Sequence, residues 1–319
     1  MTRIVIAITT LLLLAGCASM MPDTTTPNIP SIGLSLEDAR RITGALEARM
    51  TEKNAGDPLI TPKSLEDVQE ILRRDQIDLF PGGIAFAEKQ EGVTALALRA
   101  QIELAWGEAQ IILAEIFQGT TTNLRQMLTN LEARNATGGL QDAEKDVLNE
   151  LRKSISEATT TAEALAKLAS EHVAAGANLA REVISKNPAD YHGYRVAADF
   201  YRLRQDWAGF DGMVKKIEET NPQSNGLVFL QGISAAQREG DAAKAIGLFK
   251  KAIERDNKFV RAQAQIMLLQ GQFPNIYAEF GKLKAMNPNH QIVLWAGDYI
   301  QKAYDQWKDQ KDRKPGAKH

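Results

Sequence analysis

The side chains able to do chemistry are few in this chain and poorly spaced for it. The four histidines are His172, His192, His290 and His319, and none has a second histidine four residues on or another metal-site spacing. No HExxH, GxSxG, Walker loop or dinucleotide-binding glycine pattern occurs. Pro81-Gly82-Gly83 follows no strand and leads into no Gly-Lys-Ser/Thr, so it reads as a plain turn and not a phosphate cradle. The carboxylate pairs Glu37-Asp38 and Glu66-Asp67 each follow a Ser-Leu at the start of an amphipathic segment. Ser35 and Ser64 then read as N-caps, and the acids three residues on complete capping boxes. Glu103, Glu108 and Glu115 interrupt the least polar stretch of the chain; we expect them on a narrow solvent stripe, with a ligand pocket as the alternative. These features argue against an enzyme and predict neither cofactor nor metal.

One residue does have a chemical context. Cys17 is the only cysteine. It follows a basic start, Met1-Thr2-Arg3, and an apolar run over residues 4–14 broken only by Thr9 and Thr10. The run is too short for a bilayer, which takes about 20 apolar residues, and fits a signal-peptide core. Leu14-Ala15-Gly16-Cys17 resembles a bacterial lipobox. That resemblance implies cleavage before Cys17, lipidation of its sulfur and new amino group, and attachment to a membrane. With Ala18 where an Asp would favour inner-membrane retention, it also implies the outer membrane, facing the periplasm, in a two-membrane source; in a source with one membrane the anchor is in that one. Once Cys17 is modified the mature chain has no thiol for disulfides or metal binding. Residues 17–34 hold Pro22, Pro27 and Pro30 among threonines and read as an extended tether.

The remaining composition is that of an ordinary globular protein, with 44% hydrophobic and 24% charged residues. A net charge of −2 argues against a general nucleic-acid binder. No alternating β-branched runs stand out, and the fold class expected is all-α. Residues 35–186 form a helical subdomain. Within it, residues 93–117 are apolar on most of the helix circumference, which marks a central buried helix. Residues 140–186 read as helix, with the threonine-rich 156–162 as a candidate interruption, and 164–184 as the N-terminal neighbour of the segment beyond residue 187.

From residue 187 the chain becomes periodic. Asn187-Pro188, Asn221-Pro222, Asp256-Asn257 and Asn287-Pro288 recur at intervals of 34, 35 and 31 residues. Proline after a helix stops it, since it has no N–H and restricts its predecessor. Between these marks lie helix–turn–helix patterns. Tyr194, Ala198 and Tyr201 lie in the first, and Ala245, Phe249 and Ala252 lie on one helical face of the second, after the turn Glu239-Gly240-Asp241. This pattern resembles the tetratricopeptide repeat (TPR), a helix–turn–helix of about 34 residues. One departure is visible: Gly232 precedes the turn glycine by one residue more than the family pattern has, and Ile233 takes the expected place. The resemblance implies a TPR-like α-solenoid over residues 187–307, its last helix capping the array, with a disordered charged tail at 308–319.

In that family the first helix of each repeat lines a concave, peptide-binding surface. Counted from the turns, the corresponding residues here are His192, Arg195, Asp199, Arg202, Leu227, Leu230, Ser234, Arg238, Arg261 and Gln265. The resemblance therefore implies a basic groove that grips carboxylates of a peptide. The function expected is that of a noncatalytic, membrane-anchored scaffold or adaptor for another periplasmic or outer-membrane protein. An alternative comes from overall plan: the chain resembles TPR lipoproteins associated with TRAP-type solute transporters. That implies a small-molecule site walled by residues 93–117. An open groove over Arg195, Arg202 and Arg238 favours the first; a cavity behind residues 93–117 favours the second.

Overall fold

The computed structural model describes residues 62–75, 79–138, 141–288 and 290–313. Cys17, the signal peptide, the tether, the first Ser-Leu-Glu-Asp helix start and residues 314–319 lie outside the described residues. Among those described, every element is helical and none is a strand.

α1 (Leu65–Arg73) starts at the expected capping box: Ser64 Oγ accepts from the Asp67 N–H at 3.2 Å, and Asp67 Oδ2 accepts from the Ser64 N–H at 3.1 Å. Pro81-Gly82-Gly83 is not the turn its composition predicts; it lies inside α2 (Phe80–Ala87). Proline costs nothing in a first helical turn, where its missing N–H would have no helical partner. Gly83 serves packing, since a Cβ there would stand 2.8 Å from Ile102 Cδ1.

α3 (Val93–Ala136) and α4 (Asp142–Lys186) are single helices of 44 and 45 residues that pack on each other. Two glycines let their backbones approach: a Cβ on Gly107 would come within 3.1 Å of the Ala169 carbonyl, and one on Gly176 within 3.1 Å of the Ala100 carbonyl. The threonines of α4 do not interrupt it. Thr159 and Thr160 donate their hydroxyls to the carbonyls of Ile155 and Ser156, a bond that keeps the side chain within the helical ladder. The apolar first part of α3 is central as predicted, touching α1, α2, α4 and α5 (Tyr191–Leu203).

The periodic marks become four copies of one turn. Asn187, Asn221, Asp256 and Asn287 each cap a helix with φ between −142° and −150°. Each donates its N–H to the carbonyl four residues back and accepts from the N–H three residues on. The helices between them pack in sequence: α5 on α6 (Trp207–Thr220), α7 (Asn225–Ser234) on α8 (Ala242–Arg255), and α9 (Val260–Leu268) on α10 (Phe273–Met286). Ala245, Phe249 and Ala252 are fully buried, as their spacing predicts. The extra residue before Gly240 is absorbed by a π-helical turn, Ala235–Glu239, closed by Gly240 at φ 70°. Gly232 is accordingly the close-packing residue, because a Cβ on it would stand 2.6 Å from the Phe249 ring. α11 (Gln291–Arg313) covers α10 through Tyr277 and Tyr304, stacked at 3.7 Å, and stays helical through Arg313, where the composition predicts a disordered tail from residue 308.

Candidate functional site: a charged cavity

The repeat pairs fold back on the first helices. Asn287 donates its side-chain amide to the Arg74 carbonyl at 2.6 Å. His290, 1% exposed, meets Asp75 Oδ2 through Nε2 at 3.2 Å while its Nδ1 accepts from the Ile292 N–H, which leaves the ring proton on Nε2. Between these parts lies a cavity of about 560 Å³. Leu98, Gln101, Ala105 and Glu108 of α3 line one side at helical spacing; His192, Arg195, Val196 and Asp199 of α5 line another. Asn225 and Gly226 at the start of α7, Phe259 and Arg261 at α9, and Gln69, Leu72 and Arg73 of α1 complete most of the wall.

Glu108 organises the charges. Its Oε1 accepts from Arg202 Nη2 and its Oε2 from Arg261 Nη2, each at 2.7 Å. Arg202 also donates from Nε to Asp199 Oδ1 at 3.1 Å, and the Arg261 guanidinium lies 5.6 Å from the centre of the Phe229 ring. Burial works against the charge on both Arg202 and Arg261, yet Glu108, with Asp199, more than offsets it and holds both pKa values above the ordinary arginine range. The Asp199 carboxyl, opposed by burial, is held low by Arg202, Arg261 and Arg195.

Arg195 differs. Burial, reinforced by Arg261, lowers its pKa, and the attraction of Asp199 offsets this only in part. Among the described residues its guanidinium has no hydrogen bond and no ion pair. Its stem crosses Gly226, where a Cβ would stand 2.9 Å from Arg195 Cδ. Three other wall residues carry buried side-chain atoms without a partner, Gln101 Nε2, Asn225 Oδ1 and Arg73 Nε, although the Arg73 guanidinium is otherwise paired with Glu70.

The groove expected from the turns is thus not a continuous open surface, because α3 lies across the part of it formed by α5 and Arg261 of α9. His192, Arg195, Asp199 and Arg261 do meet, on one cavity wall. Arg202 is buried and already paired. Leu227 and Leu230 are buried in the core with Tyr194 and Phe210. Ser234 and Gln265 are half-buried and do not line the cavity, and Arg238 is exposed and paired with Asp211 of α6 at 2.6 Å. Part of this has a simple cause. Counting back from Gly240 through a π turn gives a register wrong by one, so Gly226 and not Leu227 faces inward.

The acids of α3 also depart from a solvent stripe. Glu103, 5% exposed, meets His172 Nδ1 at 2.6 Å, with that imidazole stacked on Trp106. Glu115 lines a second, more apolar cavity of about 310 Å³ between α3 and α4, where burial raises its pKa to about 7. Gln101, Asn225 and Arg73 are wall residues that sequence reasoning missed; the acids on an otherwise apolar helix and the resemblance in overall plan were the signals pointing to α3 as a wall. Among the described residues no cluster of three His, Cys, Asp or Glu forms a metal-holding group, and no helix is long and apolar enough to cross a membrane. No protein-family model matches this chain, and no curated protein matches it.

Proposed function

We propose that this protein is a noncatalytic, membrane-anchored receptor for a small polar organic molecule, held in the cavity between α3 and the repeat pairs. The observation that carries the reading is the cavity itself: about 560 Å³, walled by α3, with an unpaired guanidinium and two walls bearing unsatisfied amides. Ligand sites commonly measure about 300–1,000 Å³ and place a few convergent polar groups on apolar walls. A buried polar group without a partner costs about 1–3 kcal/mol, and a ligand that supplies partners recovers that cost. A peptide-binding scaffold would use the same face, and α3 lies across the part of it formed by α5 and α9, which favours a small ligand over an extended peptide.

In this reading the helix pairs are TPR-like and serve as a curved wall. The lipobox-like sequence places a lipid on Cys17, and the protein faces the periplasm from the outer membrane, or the single membrane of a source that has one. The plan of anchor, helical body and cavity is similar to that of TPR lipoproteins associated with TRAP-type transporters, so a solute-handling role beside a transporter is the context we favour over a scaffold.

Two experiments test this. Native mass spectrometry of the full-length protein released in mild detergent should find a bound small molecule, absent from an Ala105→Trp variant whose indole fills the cavity. Failure to detect one, together with equal capture of a protein partner by both forms, would restore the scaffold reading. Metabolic labelling with a fatty-acid analogue should mark the wild type and not Cys17→Ser; equal labelling of both removes the anchor.

A further inference from the structure

The cavity wall carries four arginines, and they are not equivalent. Arg261 is held by Glu108, Arg73 by Glu70, and Arg255 by the Gln223 carbonyl. Arg195 alone among them has no hydrogen bond or ion pair with any described residue, although Asp199 lies one helical turn along the same wall. Asp199 is already committed to Arg202. Glu108 is committed twice over, one oxygen to each of two arginines. Asp256 accepts from the Lys258 N–H and lies 3.9 Å from Arg73. Asp75, the further carboxylate that acts on Arg261, is engaged by His290. Asp199 attracts Arg195 from one turn away, but no carboxylate on the wall makes a hydrogen bond or ion pair with it.

A guanidinium cannot lose its proton under these conditions and presents donors in a planar fork that matches a carboxylate. Gly226 lets the stem lie flat against the start of α7, which fixes where that fork can reach. Asn225, next along the chain, and Gln101, on the facing helix, each keep one amide atom unsatisfied. Because an amide can turn over, each can act as donor or acceptor toward a group beside the carboxylate.

We propose that the ligand of this cavity is a carboxylate, bound through Arg195, with Gln101 and Asn225 reading a polar group beside it. This rests on the reading of the cavity as a ligand site and names the class of molecule it takes. Arg195 is then a binding residue kept unpaired in the empty protein, and the remaining arginines are structural.

The test uses dialysed full-length protein and pairs of probes that share a skeleton: acetate and acetamide, succinate and succinamide, benzoate and benzamide, at fixed ionic strength. Calorimetry should show at least one carboxylate binding with a stoichiometry of one and at least about tenfold more tightly than its amide, since loss of a charged hydrogen-bonding partner in a cavity is worth at least that much. Arg195→Gln should abolish the preference for carboxylate over amide, and Arg195→Lys should restore part of it. Equal binding of the amide, or undiminished carboxylate binding by Arg195→Gln, overturns the proposal. Binding of a neutral solute with no response to any carboxylate overturns it while leaving the cavity a ligand site. No bound molecule by mass spectrometry and no response to any probe removes both. A readout without ligand adds to this: Arg195→Met should melt higher than the wild type, because it removes a half-buried charge that has no hydrogen bond or ion pair. A lower melting temperature for that variant means Arg195 is structurally engaged, and the proposal falls.

Discussion

Arg202 lies in the last turn of α5 and Arg238 in the π turn that follows α7, and their surroundings could hardly differ more. Arg202 is 5% exposed and holds Glu108 and Asp199; Arg238 is 47% exposed and holds only Asp211. Both pairs have short ionic contacts, at 2.7 and 2.6 Å. What separates them is whether another element covers the site. α3 runs past Arg202 and excludes water from its ion pairs, whereas no described element covers Arg238. An ion pair in water is screened and worth about 0–1 kcal/mol, while breaking an enclosed one leaves a stranded charge.

The harshest way to break this contrast is through its register. Ala245→Arg places a charged side chain where a fully buried alanine packs between α7 and α8. We expect a loss of about 3–5 kcal/mol or failure to fold, from overpacking and an unpaired buried charge. A melting temperature within a degree or two of wild type would mean that the π turn has been misplaced and the inward face of α7 with it.

Glu108→Ala comes next. It strands Arg261 and leaves Arg202 only Asp199, and urea unfolding should show a loss of about 3 kcal/mol. Glu108→Gln should recover part of that, since it keeps the acceptor oxygen. A loss below about 1 kcal/mol from Glu108→Ala would place the network in solvent and erase its difference from the outer pair.

A smaller effect isolates burial without ion pairing. Burial raises the Glu115 pKa from an ordinary glutamate value to about 7. The folded state then binds more protons than the unfolded state between about pH 4.5 and 7, so stability falls as pH rises through that window. Glu115→Gln should gain roughly 1 kcal/mol at pH 8, allowing for solvent screening at this half-buried site, and nothing at about pH 4.5. An equal gain at both pH values would assign it to packing alone. The smallest expectation is for Arg238→Ala, within about 0.5 kcal/mol of wild type. A cost comparable to that of Glu108→Ala would show that the outer pair is covered after all.

Much of the helical framework was legible because local signals agree with the tertiary outcome. Ser64 and Asp67 cap α1, Ala245 and Phe249 are buried at their predicted spacing, and the Asn-Pro and Asp-Asn marks become one turn repeated. The signals that misled were ambiguous at short range. Proline followed by two glycines fits a turn or a first helical turn equally well, and only Ile102, packed against Gly83, distinguishes them. Threonines lower helix propensity, but packing along α3 and back-bonding to the preceding turn hold α4 unbroken.

By itself the sequence determined an all-helical chain, the places where its later helices stop, and which residues pack within a helix pair. All of these follow from interactions spanning a few residues, or one repeat, and are written as spacing. It also placed a one-residue excess before Gly240. Tertiary structure decided what that excess becomes, and decided the site. Glu108 meets Arg261 across 153 positions of chain and Asp75 meets His290 across 215. No periodicity reports such distances. Part of the face that repeat spacing marks as an open groove is covered by α3, where Arg202 and Arg261 pair with Glu108 and Arg195 is left over; Arg238, on the same expected face, stays exposed. Enclosure is a property of how elements stack, and it sets the strength of every charge within it.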